Sequence, residues 1–173
     1  MHKKIDQRRA LISVGVLLTS LALGAARADD VIRTPLPDGN PFPISAAVTV
    51  RGDLDTVYLS GALPAVIDKN AEKGSVASYG NTEAQTVSVL DKIKSSLAQL
   101  GLDMSNVVKM TVFLVADPTQ DNKLDFMGMN AAYGKYFATK EQPNKPARST
   151  VQVAALVAPG ALVEIEVIAV KPR

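Results

Sequence analysis

The sequence predicts an α+β domain in which a mixed β-sheet carries two helices on one of its faces. Three observations lead to this class. A long amphipathic pattern begins at Thr82, several segments are rich in β-branched residues, and the last of them, residues 162–170, has one fully apolar face. Such a face needs a second layer to cover it, and two helical patterns are available for that purpose.

The N-terminal segment has the three-part pattern of a secretory signal. Arg8 and Arg9 belong to a basic region, an apolar run follows over residues 10–26, and Ala26 and Ala28 are small residues at the positions that a signal peptidase recognises. We therefore expect cleavage of residues 1–28 and a periplasmic or secreted protein without membrane attachment. The alternative is an uncleaved anchor, for which the run is short. The two arginines leave the twin-arginine export route open.

Loss of the signal also changes the charge. The chain has 19 Lys+Arg and 17 Asp+Glu; residues 1–28 hold five and one of them, which leaves 14 and 16 and a net charge of −2. No basic patch remains to bind nucleic acid. The only histidine is His2, and cysteine is absent. Catalytic triads, Cys-His pairs and histidine-based zinc sites are therefore excluded for the mature protein, for which we expect no metal and no cofactor.

The elements follow in order along the mature chain. Residues 29–47 form an extended arm in which four prolines block helix formation, and residues 48–173 form the folded domain. Two short strands, Val48–Arg51 and Thr56–Ser60, are close enough to form a hairpin. Residues 61–80 have no periodic pattern and are expected to be a loop.

The first predicted helix begins at Thr82, where Thr82 and Gln85 have the spacing of a capping box. Gly101 is its expected stop. Its apolar stripe consists of Val87, Leu90, Ile93, Leu97 and Leu100.

The remaining elements complete the order β-β-α-β-α-β-β. They are a strand at 107–116, a helix at about 122–137, a loop at 142–146, and two final strands at 148–154 and 162–170 that are joined by a turn at Pro159-Gly160.

The last strand carries the first candidate for chemistry. Val163, Ile165, Val167 and Ala169 form its apolar face, whereas Glu164 and Glu166 lie on the other face among Leu162, Ile168 and Val170. This second face contacts either water or another subunit. Its three apolar residues favour a subunit, but alternation alone leaves the two possibilities open. A carboxylate at a subunit contact would be suited to act as a general base.

Arg148 is the second candidate, because it begins a strand directly after a proline-rich loop. A guanidinium held at such a position can grip a carboxylate through two parallel hydrogen bonds. The alternative is an ordinary surface arginine.

Several segments resemble the RidA (YjgF) family, and together they span residues 42–171. The most specific are the two final strands; the looser ones lie earlier in the chain. The specific segments are residues 146–151 and 163–170, and the earlier segments are residues 58–61, 107–114 and 129–133.

The resemblance implies a chorismate-mutase-like α+β fold and a homotrimer with sites between neighbouring subunits. It implies hydrolysis of reactive enamines and imines, of the 2-aminoacrylate and 2-iminopropionate type, to 2-keto acids and ammonia. By this resemblance Arg148 binds the substrate carboxylate and Glu164 activates water. The same comparison places other residues in the pocket, namely Ile44, Ser60, Gly61, Asn130 and Thr150. The expected partners are thus a small carboxylate-bearing substrate and further copies of the chain.

Two departures from the family pattern concern the substrate. Phe42-Pro43-Ile44-Ser45 stands where deaminases of the family usually have Gly-Pro-Tyr-Ser, and Thr150 stands where many members have cysteine. Ile44 therefore favours an alternative, a non-catalytic trimer that binds small carboxylates. A ribonuclease, an activity sometimes attached to the family, is a third hypothesis, which the acidic mature chain and the missing histidine oppose.

Overall fold

The computed structural model describes residues 30–173. The predicted signal peptide, residues 1–28, lies outside the described residues. The strands are β1 (Val31–Thr34), β2 (Ala47–Val50), β3 (Leu54–Ala62), β4 (Val107–Leu114), β5 (Ala147–Gln152) and β6 (Val163–Pro172). The helices are the single turn α1 (Val76–Tyr79), α2 (Thr82–Gln99) and α3 (Phe126–Tyr133).

The main sheet has four strands in the order β3-β6-β4-β5. The pairs β3·β6 and β6·β4 are antiparallel, whereas β4 and the edge strand β5 are parallel. Buried side chains of α2 and α3 share one core cluster with the sheet. The predicted α+β class, with a mixed sheet and helices on one face, is therefore confirmed. Within residues 30–173, no helix combines the length and apolar character that a membrane crossing requires.

The core lies between the helices and the apolar side of β6. Val163, Ile165, Val167 and Ala169 are all buried, as strand alternation predicts. The side chains that α2 buries against them are Val89, Leu90, Ile93 and Leu97. The predicted stripe was wrong at its ends, because Val87 is only partly buried and Leu100 is 45% exposed.

The other side of β6 also differs from the prediction. Leu162 and Val170, whose apolar character favours a subunit contact in the sequence, are only 2% and 4% exposed within the single chain. Ile168 is partly exposed, and the two glutamates keep access to solvent. The apolar neighbours of Glu164 and Glu166 therefore serve mainly the subunit's own core.

The predicted hairpin between the second and third strands is not formed. β2 pairs with β1, which lies in the expected extended arm, and β3 pairs with β6. Arg33 of β1 fastens this two-stranded sheet by donating hydrogen bonds to the carbonyls of Ser105, Val107 and Lys145, at 2.8 to 3.0 Å. Long-range pairing thus prevails over the short connection between β2 and β3.

The predicted capping box at the start of α2 was also wrong. The N-cap is Asn81, whose side chain accepts the amide of Ala84 at 2.9 Å. Gln85 is fully buried and joins distant segments, because its amide group donates to the carbonyls of Gly80 and Gly160 and its oxygen accepts the amide of Leu162. Gln85 thereby fixes the start of β6, two residues before Glu164. The predicted stop at Gly101 fits its left-handed φ of 73°.

The second predicted helix is shorter than expected. Asp121 and Asn122 have positive φ angles, and the helix begins only after Asp125, which caps it by accepting the amide of Gly128 at 2.8 Å. α3 is therefore a two-turn helix, and it presents Met129 and Tyr133 to the core.

Candidate active site

Strand register assigns the predicted site residues to two different sides of the sheet. Arg148 pairs with Met110, which pairs with Val167, and both of these partners are buried under the helices. Glu164 pairs with Phe113, which pairs with Val151 on the opposite side. Because side chains of paired residues point to the same side of a sheet, Arg148 and Glu164 of one chain lie on opposite faces.

Arg148 lies between the edge of the sheet and α3. Its Nη2 donates to the side-chain oxygen of Asn130 at 2.8 Å, and its Nη1 is 3.8 Å from the sulfur of Met129. Its Cζ is 4.3 Å from the ring centroid of Tyr133, 5.4 Å from that of Phe42 and 5.9 Å from that of Phe126. The guanidinium is therefore held by one amide and by aromatic faces.

Arg148 has no opposite charge beside it in the described part of the chain. Among residues 30–173 it forms no salt bridge with a carboxylate, and only two of its N–H groups are used. A guanidinium has five such donors in a planar fork. Burial removes part of the hydration of this cation and thereby lowers the pKa of Arg148 from its ordinary value. A partly desolvated cation with unused donors is suited to bind an anion.

Three other predicted residues accompany Arg148, and we call the group with its aromatic neighbours the arginine cluster. Asn130 contacts the guanidinium directly. Thr150 follows on the same side of β5, and its hydroxyl is buried without a hydrogen-bond partner in the part of the chain that the structure describes. Ile44 packs against the core in a segment that bridges to β5 through Ser45 and Ala147.

The remaining predicted residues form a second group on β3 and β6, which we call the glutamate bulge. Leu59 pairs with Val167 but Ala62 pairs with Ile165, so the two residues Ser60 and Gly61 stand opposite one residue of β6. A Cβ atom on Gly61 would overlap the carboxylate of Glu164. The missing side chain at Gly61 therefore leaves space for that carboxylate.

A cleft of about 540 Å³ borders the glutamate bulge on the side of α2. Its lining includes Ser60, Gly61, Lys92 and Ser96. Lys92 donates to the carbonyl of Leu63 at 2.7 Å, so this cation is engaged with the backbone at the rim. The predicted site residues thus form two groups, and a single chain does not join them.

The aromatic residues around Arg148 were missed by sequence reasoning. Phe42 and Phe126 lie with their rings nearly parallel, at an interplanar angle of 7° and a centroid distance of 6.2 Å. Tyr133 is fixed by a hydrogen bond from its hydroxyl to the carbonyl of Pro43, at 2.9 Å. The available signal was that Phe42 lies in the segment 42–45 and Tyr133 in the segment 129–133, both of which the family comparison singled out.

The fold and these two groups define a small α+β protein with a partly buried cation on one side of its sheet and an accessible carboxylate on the other. Comparison with known proteins gives its family. Residues 41–171 match the family described as Endoribonuclease L-PSP, and the chain belongs to this family, which is also the RidA (YjgF) family.

Individual relatives agree with this assignment. The chain is 35% identical over 134 residues to the 3-aminoacrylate deaminase RutC of Acinetobacter baylyi, a match that covers 78% of this chain and 94% of the relative. A solved structure of the Rid family from Yersinia pestis is 27% identical, with a TM-score of 0.57, and covers 80% of this chain and 96% of the other. A structure from Thermotoga maritima is 33% identical, with a TM-score of 0.51 and coverages of 82% and 94%.

Proposed function

We propose that this protein hydrolyses reactive enamines and imines, of the 2-aminoacrylate and 2-iminopropionate type, to 2-keto acids and ammonia. The observation that carries the proposal is Arg148, a partly buried cation with unused donors and no carboxylate beside it among residues 30–173. The similarity to a 3-aminoacrylate deaminase supports the reaction class.

In the proposed reaction Arg148 binds the substrate carboxylate through a two-pronged, charge-assisted hydrogen bond. An enamine first takes a proton from water at its methylene carbon and loses a proton from its nitrogen, and it thereby becomes the imine. Water then adds to the carbon of the C=N bond, and Glu164 accepts the proton of that water and passes it to the nitrogen. The hydroxyl of the resulting carbinolamine gives its proton, by way of Glu164, to the amino nitrogen; the C–N bond then breaks, ammonia leaves, and the C=O bond of the 2-keto acid forms. Orientation and general acid–base help of about 10²–10⁴-fold suffice for this already electrophilic carbon.

This reaction needs Arg148 and Glu164 at one substrate, although they lie on opposite faces of one chain. We therefore propose that the arginine cluster of one subunit meets the glutamate bulge of its neighbour in a homotrimer. The exposed side of the sheet is suited to such a contact, because Tyr58 is 75% and Val151 is 43% exposed there. A cyclic trimer repeats the same contact three times and leaves no group unmatched.

Mixed oligomers test the composite site. Arg148→Ala and Glu164→Ala are each expected to abolish turnover, yet a trimer that contains both variants should recover about one third of the wild-type activity, because one of its three sites receives both intact groups. Co-expression with two different tags isolates the mixed species, and ammonia release from enzymatically generated 2-iminopropionate gives the rate.

The matched control for this experiment combines Arg148→Ala with the double variant Arg148→Ala/Glu164→Ala, which cannot restore a site. Verified mixed oligomers without recovered activity would contradict a site shared between subunits. A monomer in sedimentation for the wild type would contradict the assembly itself.

Ile44 favours a second candidate function, a non-catalytic trimer that binds small carboxylates. An apolar side chain there removes a polar group that deaminases of the family usually have in the pocket. Binding of pyruvate without faster hydrolysis of any imine would support this function and reject the enzyme. The family description also names an endoribonuclease, so RNA cleavage by the purified protein that disappears in one defined point variant would revive that alternative.

We also propose export of the protein, with residues 1–28 as a cleaved signal. Intact-mass measurement of the protein from the periplasmic fraction should then give a chain that begins at Asp29. A cytoplasmic protein with an intact N-terminus would contradict this part of the proposal.

A further inference from the structure

We infer that the substrates of this site are 2-imino acids with apolar, especially aromatic, side chains, and that Phe42 sets this preference. The inference rests on the proposed function, because it uses Arg148 as the anchor of the carboxylate. It concerns the part of the substrate that does not react.

Distances from Arg148 place the substrate side chain near two phenyl rings. A carboxylate in a two-pronged bond has its carbon about 4 Å from Cζ of the arginine. The ring centroids of Phe42 and Phe126 are 5.4 and 5.9 Å from the same atom. The side chain of a bound 2-imino acid begins two bonds beyond the carboxylate carbon, after the imine carbon, and is therefore within reach of these rings.

The groups around this position offer carbon rather than polar partners. Phe42 and Phe126 present parallel rings, and Ile44 follows two residues after Phe42. The polar side chains beside Arg148 are Asn130, whose side-chain oxygen already accepts a hydrogen bond from the guanidinium, and Thr150, which offers one uncharged hydroxyl. A charged substrate side chain would lose water here without gaining an opposite charge from the arginine cluster, whereas an aromatic side chain can pack against the phenyl rings.

Phe42 is held in place rather than attached to a loose arm. Its amide donates to the side chain of Asn40 at 3.0 Å, and Tyr133 binds the next carbonyl, that of Pro43. Ser45 completes the support, because its amide and hydroxyl donate to the carbonyls of Pro146 and Lys145 at 3.0 and 2.6 Å. The family motif has glycine where this chain has Phe42, so the ring is an addition that the shared reaction does not require.

Competing imines test the preference. An amino acid oxidase generates the imines of phenylalanine, leucine, alanine and aspartate, and kcat/KM is measured for each. We expect the phenylalanine-derived imine to exceed the alanine-derived imine by about tenfold or more. Phe42→Ala should lower this ratio about tenfold, and Phe42→Leu should lower it less, because leucine keeps apolar contact. The control is Met127→Ala, which removes a 74% exposed side chain next to Phe126 and should leave the ratio unchanged.

Two results would overturn the inference. One is an equal or higher kcat/KM for the alanine- or aspartate-derived imine in the wild type; the other is an unchanged ratio in folded Phe42→Ala. Calorimetric titration with phenylpyruvate and pyruvate separates this inference from the proposed function. If no imine is hydrolysed faster than in buffer, the proposed function fails. Tighter binding of phenylpyruvate than of pyruvate that is lost in Phe42→Ala would then still support an apolar subsite at Phe42. Equal binding of both acids would refute that subsite.

Discussion

Arg33 and Arg148 are two partly buried arginines whose hydrogen bonds predict opposite effects of the same substitution. Burial lowers the pKa of both. Arg33 donates hydrogen bonds to three backbone carbonyls, whereas Arg148 donates one short hydrogen bond, to Asn130. Replacement by methionine keeps much of the apolar stem and removes the charge in both cases. We therefore expect Arg33→Met to reduce stability and Arg148→Met to reduce ligand binding.

The magnitudes follow from the contacts. Arg33→Met leaves three carbonyls without their charged donor, a loss that exceeds the relief from burying the cation and the partial recovery by water, so the free energy of unfolding should fall by about 2–4 kcal/mol. Arg148→Met loses one charge-assisted hydrogen bond and a cation–π contact with Tyr133, together about 2–3 kcal/mol. It also removes the cost of burying an unpaired cation, about the same size and opposite in sign. Its net effect on stability should be within about 1 kcal/mol of zero.

Urea unfolding followed by circular dichroism measures the free energy of unfolding. The protein concentration is kept fixed because assembly contributes to stability. Titration with pyruvate measures the affinity for a small carboxylate. Loss of a two-pronged ion pair should weaken pyruvate binding by Arg148→Met about 100-fold or more, whereas folded Arg33→Met should retain binding. The reasoning would be refuted if Arg148→Met lost several kcal/mol of stability while Arg33→Met lost none.

Two further substitutions test individual features of the site. Gly61→Ala should lower imine turnover about tenfold or more, while the melting temperature stays within about 2 °C. The reason is that the three atoms nearest to the new Cβ all belong to the movable side chain of Glu164. Unchanged turnover would show that the position of this carboxylate does not matter. Thr150→Val should raise the free energy of unfolding by about 1 kcal/mol, since it removes a buried hydroxyl that has no partner among residues 30–173. The control Thr86→Val loses a 2.7 Å hydrogen bond to the carbonyl of Thr82 and should be destabilised, so equal effects of the two valines in urea unfolding would contradict the argument.

The sequence predicted best where a simple period coincided with burial. In β6 every second residue from Val163 to Ala169 is apolar and buried, so alternation alone identified both the core face and the side on which Glu164 lies. The extended register of a strand permits only two faces, which makes this inference robust.

Local sequence signals failed where distant residues decide the structure. Gln85 has the spacing of a capping residue, but the carbonyl of Gly160 and the amide of Leu162 bind its side chain. The short turn after β2 suggested a hairpin, but β3 found its partner in β6. The aromatic surroundings of Arg148 combine Phe42 with residues of α3, and no local period connects positions so far apart in the chain.

The separation of Arg148 and Glu164 onto two sides of the sheet has a kinetic consequence. Under the proposed assembly each chain supplies Arg148 to one site and Glu164 to another. No single chain therefore contains a complete site. The specific activity should then decline on dilution below the dissociation constant of the oligomer, and it should return on concentration without any refolding of the chain. Catalysis would thus be switched by encounter between copies, while every copy remains fully folded.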